Sequence, residues 1–342
     1  MGASKFSTFD RIERVSLGLF PTPVERLDAL CHKGARKGTE LWIKRDDRTA
    51  ELYGGNKVRK LEYLLAEARA QRKSRLLTIG AVGSHHVLAT TVFGRRAGFE
   101  VDAVLLPQPQ TAHALTNLRA DLAQGLHARA AGSYPSALLH LAAELRSDTY
   151  FVNVGGSSLA GALGYVDGAR ELAAQIHRGE MPEPDVVVVT LGSGGTFAGI
   201  VAGLELAGLR TRVIGVLVSD PPKPMGWYAR WLARRCLRAA DREIDLAVLD
   251  ARMVFDTRYL GVGYGHATEA GARATEIAKE AGIKLDPTYT AKTFAAALDL
   301  VEEGTHGTIL YWHTLSSAPM GPLLEGAPAA NVIDGDLTRL LR

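Results

Sequence analysis

Cysteine is scarce in this chain: there are two in 342 residues, Cys31 and Cys236. They lie far apart and form neither a CxxC pair nor a disulfide framework. That pattern suits a cytoplasmic, reducing setting, with each readable as a small buried apolar residue. Excess charge is also lacking. The formal net charge is +3, and Arg95-Arg96 and Arg234-Arg235 are pairs rather than patches, so nothing in the charge pattern argues for nucleic acid. Long hydrophobic runs are missing. The longest, Val186 to Leu191 and Val213 to Val218, are strand-sized, so no membrane partner is expected. Met1 to Ile12 is polar and has no apolar signal-peptide region. Repeats, low-complexity segments and structureless linkers are absent as well.

What is present is an ordinary globular balance, 46% hydrophobic and 23% charged, at a length sufficient for two domains. Short apolar runs alternate with helical patterns. The strands predicted are Leu41–Lys44, Leu76–Ile79, Val101–Leu106, Tyr150–Val154, Val186–Leu191, Val213–Val218 and Thr308–His313. The helices are Lys57–Arg72, His85–Ala97, Ala112–Ala123, Ser136–Leu145, Leu159–His177, Phe197–Ala207, Ala267–Ala281 and Lys292–Glu303. The alternation predicts an α/β fold of open parallel sheets covered by helices. In such sheets ligands bind beyond the carboxyl ends of the strands. Three unusual loops fall there: Gly80–His86, Gly192–Thr196 and His313–Pro319.

The segment Tyr53-Gly54-Gly55-Asn56-Lys57 places a lysine after two glycines, where Leu61, Leu64, Leu65 and Ala68 begin a helical pattern. A lysine at a helix start can be partly desolvated, which lowers its pKa and supplies the neutral amine that a Schiff base needs. The plain alternative is a solvated surface lysine. Gly192-Ser193-Gly194-Gly195-Thr196 follows a strand and opens a helix, as an anion cradle would. The alternative is a tight turn without a ligand. It is no P-loop, since no Gly-Lys-Ser/Thr follows, and Phe197 breaks the dinucleotide fingerprint.

Gly83-Ser84-His85-His86 offers a hydroxyl for a carboxylate and an imidazole that can donate to a phenolate or act as an acid. The two histidines point apart and no third ligand has zinc-like spacing, so no metal is expected. Tyr264, in Gly261-Val262-Gly263-Tyr264-Gly265, and Tyr289, in Asp286-Pro287-Thr288-Tyr289-Thr290, are candidate proton donors whose pKa would fall near a cation. Either can equally be a packed ring with a wetted hydroxyl.

Together these segments resemble the pyridoxal-phosphate enzymes of the tryptophan synthase β-like fold. The likeness is strongest to the branch of 1-aminocyclopropane-1-carboxylate deaminase, D-cysteine desulfhydrase and L-cysteate sulfo-lyase. It is carried by Phe20–Leu27, by Lys44-Arg45-Asp46-Asp47 with Gly54–Glu62, by Gly192–Thr196 and by Leu285–Thr290. The resemblance implies pyridoxal 5'-phosphate as cofactor, a small amino acid as substrate and a homodimer. It also implies two α/β domains with the cofactor in the cleft: a large one of residues 1–59 and 166–342 and a small one of residues 60–165. Lys57 would carry the cofactor as a Schiff base and move the α-proton, with Asn56 beside it. Gly192, Ser193, Gly194, Gly195 and Thr196 would hold the phosphate. Tyr264 and Tyr289 would flank the substrate, Ser84 would meet its carboxylate, and Thr290 and Thr314 would lie at the pyridine end.

Within the branch, the cyclopropane deaminases have glutamate and leucine where this chain has Thr290 and Thr314, and the desulfhydrases have small hydroxyl residues. A neutral Thr290 makes the ring a weaker electron sink, which suffices when a good leaving group departs from Cβ. The expected activity is therefore α,β-elimination from a small amino acid such as D-cysteine, giving pyruvate, ammonia and sulfide. The alternatives are 1-aminocyclopropane-1-carboxylate deamination, a pyridoxal-phosphate-binding protein without turnover, and a phosphate- or nucleotide-binding oxidoreductase. The chain departs from the branch at His85, where asparagine usually meets the cofactor's 3'-oxygen, and at Ala89, where glutamine is usual. It departs again at Leu315-Ser316-Ser317, where two glycines are usual and side chains are now expected near the substrate.

Overall fold

The computed structural model describes residues 11–31, 38–219 and 222–342. Ten strands are present among the described residues: β1 (Val24–Arg26), β2 (Glu40–Lys44), β3 (Arg75–Ala81), β4 (Glu100–Leu106), β5 (His127–Ala130), β6 (Thr149–Val152), β7 (Val186–Leu191), β8 (Arg212–Leu217), β9 (Met253–Asp256) and β10 (Thr308–Trp312). They form two sheets. The first has six strands in the order β1-β2-β10-β7-β8-β9, and the second has four in the order β5-β4-β3-β6. All neighbours run parallel except β1, which pairs antiparallel with β2.

The helices among the described residues are α1 (Asp28–Cys31), α2 (Lys57–Ala70), α3 (His85–Arg96), α4 (Ala112–Ala123), α5 (Tyr134–Glu144), α6 (Leu159–His177), α7 (Gly195–Ala207), α8 (Pro222–Ala239), α9 (Leu246–Arg252), α10 (Glu269–Glu280), α11 (Thr290–Glu303) and α12 (Gly335–Thr338). None is long and apolar enough to cross a membrane.

The buried valines explain the first sheet. Val186 to Val189 are all buried, and β7 lies between β10 and β8. One face packs on Phe197, Ile200 and Val201 of α7, and the other on Phe294 and Ala297 of α11. A strand covered on both faces reads as a continuous apolar run. The second sheet is covered by α2 and α3 through Leu61, Leu64, Val87 and Leu88. Its four strands fall within residues 75–152, and Leu323, Ile333, Leu337 and Leu340 from the end of the chain pack into the same cluster.

All seven expected strands are present with ends shifted by two residues or fewer, but three more were not anticipated. β1, β5 and β9 are sheet edges of three or four residues, and β5 reads His-Ala-Arg-Ala with no apolar run. Edge strands need no fully apolar face, so periodicity passes over them. The helices α8 and α9 also escaped the pattern. The expectation for Met1 to Ile12 lies largely outside the described residues, and that for Cys31 outside the described side chains. Cys236 is buried.

Candidate active site

The carboxyl ends of β3, β7 and β10 open on one cavity of about 740 Å³. The three loops singled out by position all reach it. Lys57, Asn56, Ser84, His85, Gly192, Ser193, Gly194, Thr196, Tyr264, Tyr289, Thr290 and Thr314 line it. Gly195 does not, because its N–H donates instead to Ser157 Oγ at 3.0 Å.

Lys57 is the first residue of α2, and Asn56 precedes it at the N-cap position without capping the helix. The Asn56 amide has other partners. Its Oδ1 accepts from Lys57 Nζ at 2.7 Å and its Nδ2 donates to Thr196 Oγ1 at 3.1 Å. One side chain thus ties the amine to the glycine turn. Burial brings the Lys57 ammonium down to about 8, against the opposing pull of Asp286. An amine so placed is available in neutral form near physiological pH.

The glycine turn is shaped by Gly194, whose φ of +87° is a left-handed conformation that a side chain would strain. Thr196 faces the cavity from there. Lys60, one helical turn after Lys57, is buried and donates to Gly155 O at 2.9 Å. Burial, then repulsion from Lys57, holds its pKa well below the usual lysine range. Among the described residues no carboxylate pairs with Lys60, so a phosphate would supply the missing countercharge.

Ser84 caps α3, its Oγ accepting the His86 N–H at 3.2 Å. His85 lies against His113 with ring centroids 4.3 Å apart and the rings tilted by 43°, and its Nδ1 lies 2.6 Å from the Tyr53 hydroxyl. Its Nε2 is buried with no partner among the described residues. Burial, with His113 and Lys57 adding to it, keeps this imidazole neutral.

Tyr264 and Tyr289 share a hydroxyl–hydroxyl hydrogen bond. The expected lowering of their pKa does not occur. Burial pushes Tyr264 up to about 12 and Tyr289 well above the usual tyrosine range, with the Asp286 carboxylate adding to the rise at both. Asp286 sets the backbone here. Its Oδ1 accepts from the N–H groups of Thr288 and Tyr289 at 3.0 and 2.7 Å, and its Oδ2 accepts from Thr290 N and Oγ1 at 3.1 and 2.7 Å.

The Leu315-Ser316-Ser317 loop brings side chains to the cavity, as expected, but its hydroxyls have backbone partners. Ser316 Oγ accepts the Gly54 N–H at 2.8 Å, and Ser317 Oγ donates to Asp47 O at 3.1 Å. Leu315 and Ser316 line the cavity and Ser317 does not. The hydroxyls serve the backbone.

Sequence reasoning did not single out Tyr53, Lys60, Ser157, Tyr228 or Asp286 as site residues. Lys60 carried a signal, since i and i+3 share a helix face. So did Ser157, which follows strand β6 at a strand-to-helix junction. Tyr53 and Tyr228 gave none.

A depressed lysine, a glycine turn at a helix start and an uncompensated second lysine fit a phosphorylated aldehyde such as pyridoxal phosphate. The comparisons agree. The family model described as "Pyridoxal-phosphate dependent enzyme" matches residues 15–314. A Pyrococcus furiosus protein provisionally named a 1-aminocyclopropane-1-carboxylate deaminase is 33% identical over 318 residues, covering 90% of this chain and 93% of that one. The D-cysteine desulfhydrase of Yersinia enterocolitica is 34% identical over 332 residues, covering 91% and 94%. The crystal structure of an ACC deaminase homologue superposes with a TM-score of 0.81 at 28% identity, covering all of both chains. The chain belongs to the family of pyridoxal-phosphate-dependent enzymes.

Proposed function

We propose that this enzyme is a lyase that deaminates a small amino acid by α,β-elimination, with D-cysteine as the substrate type. The observation that carries the choice is at Thr290. Its hydroxyl is held by Asp286, and each Asp286 oxygen already accepts two hydrogen bonds from its own loop. That end of the cavity therefore presents hydroxyls and a saturated carboxylate.

Gly192, Ser193, Gly194, Thr196 and Lys60 would hold the phosphate, and Lys57 the aldehyde carbon. When bound, the cofactor supplies an electron-withdrawing ring that stabilises negative charge at the α-carbon. Lys57 takes the α-proton through its neutral amine. Ser84, at the start of α3, receives the substrate carboxylate. The Tyr264–Tyr289 pair stays protonated and gives a proton to the departing thiolate, so sulfide leaves as its conjugate acid. The remaining 2-aminoacrylate takes up water and yields pyruvate and ammonia. A small unit of residues 60–165 and a homodimeric assembly belong to the same proposal.

The second reading, 1-aminocyclopropane-1-carboxylate deamination, is favoured by the name of the solved homologue. Keto-acid assays separate the two. D-Cysteine should give pyruvate and sulfide, L-cysteine and cysteate should give less, and Lys57→Ala should give none. α-Ketobutyrate from aminocyclopropane carboxylate, without sulfide from either cysteine, would overturn the proposal.

A further inference from the structure

The N–H of Gly195 opens α7 yet does not face the cavity. It donates to Ser157 Oγ at 3.0 Å, and Ser157 Oγ lies 2.8 Å from Ser193 Oγ. Ser157 comes from the other sheet, in the turn Gly155-Gly156-Ser157 between β6 and α6. This turn is seated against the first. Gly155 has a φ of +61°, and a Cβ there would lie 2.0 Å from Ser193 Oγ. Lys60 Nζ donates to Gly155 O at 2.9 Å and the Tyr228 hydroxyl donates to Ser157 O at 2.6 Å. Ser157 lines the cavity and is 1% exposed.

Counting protons shows what the cluster lacks. Ser157 and Ser193 carry one hydroxyl proton each, and each hydroxyl can donate once. Their mutual hydrogen bond uses one proton, whichever residue donates it. The other, on buried Ser157 or on half-buried Ser193, has no acceptor among the described residues, and Lys60 beside it has no carboxylate among them. Left on Ser157, that donor is buried without an acceptor, which is unfavourable. An anionic oxygen at the mouth of the turn satisfies both groups.

We infer that Ser157 is an anion ligand of this cradle, its hydroxyl acting with that of Ser193, so that the cofactor's phosphate is gripped by turns from both sheets. The inference rests on the cofactor reading above and adds a residue to it from the second sheet. The same chemistry would take free inorganic phosphate, so the test distinguishes the two sources.

The measurements are equilibrium affinities of the cofactor-free protein for pyridoxal phosphate and for pyridoxal, read from absorbance, and the competition of each by inorganic phosphate. Losing a hydrogen bond to a charged group, worth about 1.5–3 kcal/mol, should weaken pyridoxal phosphate binding to Ser157→Ala by about 10- to 100-fold. Pyridoxal affinity should be unchanged, and inorganic phosphate should compete less well. Ser157→Thr, which keeps the hydroxyl, should restore binding. Should Ser157→Ala not fold, Ser157→Cys, which keeps the size and has only a weak donor, must show the same selective loss. Equal weakening for both aldehydes, or affinity within twofold of wild type, would overturn the inference and leave the cofactor reading standing. If inorganic phosphate alone bound, and bound more weakly to Ser157→Ala, the ligand would be free phosphate and the grip on the cofactor would be overturned. A wild-type protein that took up neither aldehyde would overturn the cofactor reading and the inference together.

Discussion

Arg59 and Asp46 are joined by two charge-assisted hydrogen bonds, Nε to Oδ2 at 2.9 Å and Nη2 to Oδ1 at 2.8 Å, two residues beyond Lys57. Asp46 is fully buried and also accepts from the Thr22 hydroxyl at 2.8 Å, the Tyr165 hydroxyl at 2.9 Å and Trp312 Nε1 at 2.8 Å. One carboxylate therefore fastens α2 to the N-terminal segment, to α6 and to β10. The lysine proposed to hold the cofactor stands on a helix anchored one half-turn away.

That anchor should make the fold sensitive to acid in a defined window. Burial alone would raise the Asp46 pKa, but the charge and hydrogen bonds of Arg59, followed by Lys44, hold it near 2. A carboxylate depressed in the folded state stabilises the fold above its unfolded pKa of about 3.9, and loses that contribution as the pH falls toward the folded value. The contribution is roughly 2.5 kcal/mol, and it should disappear between about pH 4 and pH 2. Denaturant titrations across that range check it. Asp46→Ala leaves Arg59 buried without this partner and should cost about 3–5 kcal/mol at pH 7.

Lys57 gives a second pH prediction. With its pKa brought to about 8, labelling of its amine by cyanate in the cofactor-free protein should rise with pH and level off above a midpoint near 8. Asp286 raises this pKa, so Asp286→Asn should move the midpoint below 8. The site-specific yield, read by mass spectrometry, reports both shifts. A midpoint above 10 would show a solvated lysine.

The tyrosine pair predicts a kinetic coupling. Both phenols stay protonated through neutral pH, so either can donate to a leaving group. Tyr289→Phe should lower kcat for β-elimination by about 100-fold, within the usual range for general acid catalysis. Tyr264→Phe removes the partner of the same hydrogen bond. The double variant should then lose much less than the product of the single losses, because residues acting as a unit are not additive. Multiplicative losses would show two independent roles.

The elements that carried the site were legible for a physical reason. Lys57 and the turn from Gly192 to Thr196 belong to local patterns, a helix start and a strand-to-helix turn, that sequence spacing records. Tyr53 meets His85 across 32 positions and Tyr228 meets Ser157 across 71, so those contacts follow from packing alone. Tyrosine pKa values went the wrong way for the same reason, since burial is a tertiary quantity. The strand β5 stayed hidden because an edge of a sheet need not be apolar, and β9 because its four residues are too short a run to stand out.

The final loop joins the lysine segment through its own side chains, which makes Ser316 a test of whether the loop is structural. Ser316 Oγ accepts the N–H of Gly54, three residues before Lys57, and also that of Ala318 at 3.3 Å. Thr314 O accepts the Asn56 N–H at 3.1 Å in the same contact. Ser316→Ala removes one acceptor and leaves the buried Gly54 N–H unmet, a loss of about 1–3 kcal/mol. For a chain of this size that should lower Tm by a few degrees, with roughly 2–4 °C per kcal/mol as the scale for domains of 150–250 residues. Substrate affinity should change little, because the hydroxyl is turned to the backbone. Ser316→Thr keeps the acceptor and should retain more of the lost stability. If Ser316→Ala instead left Tm unchanged and altered KM several-fold, the hydroxyl would be reading substrate, and the loop would be a specificity element in place of a brace.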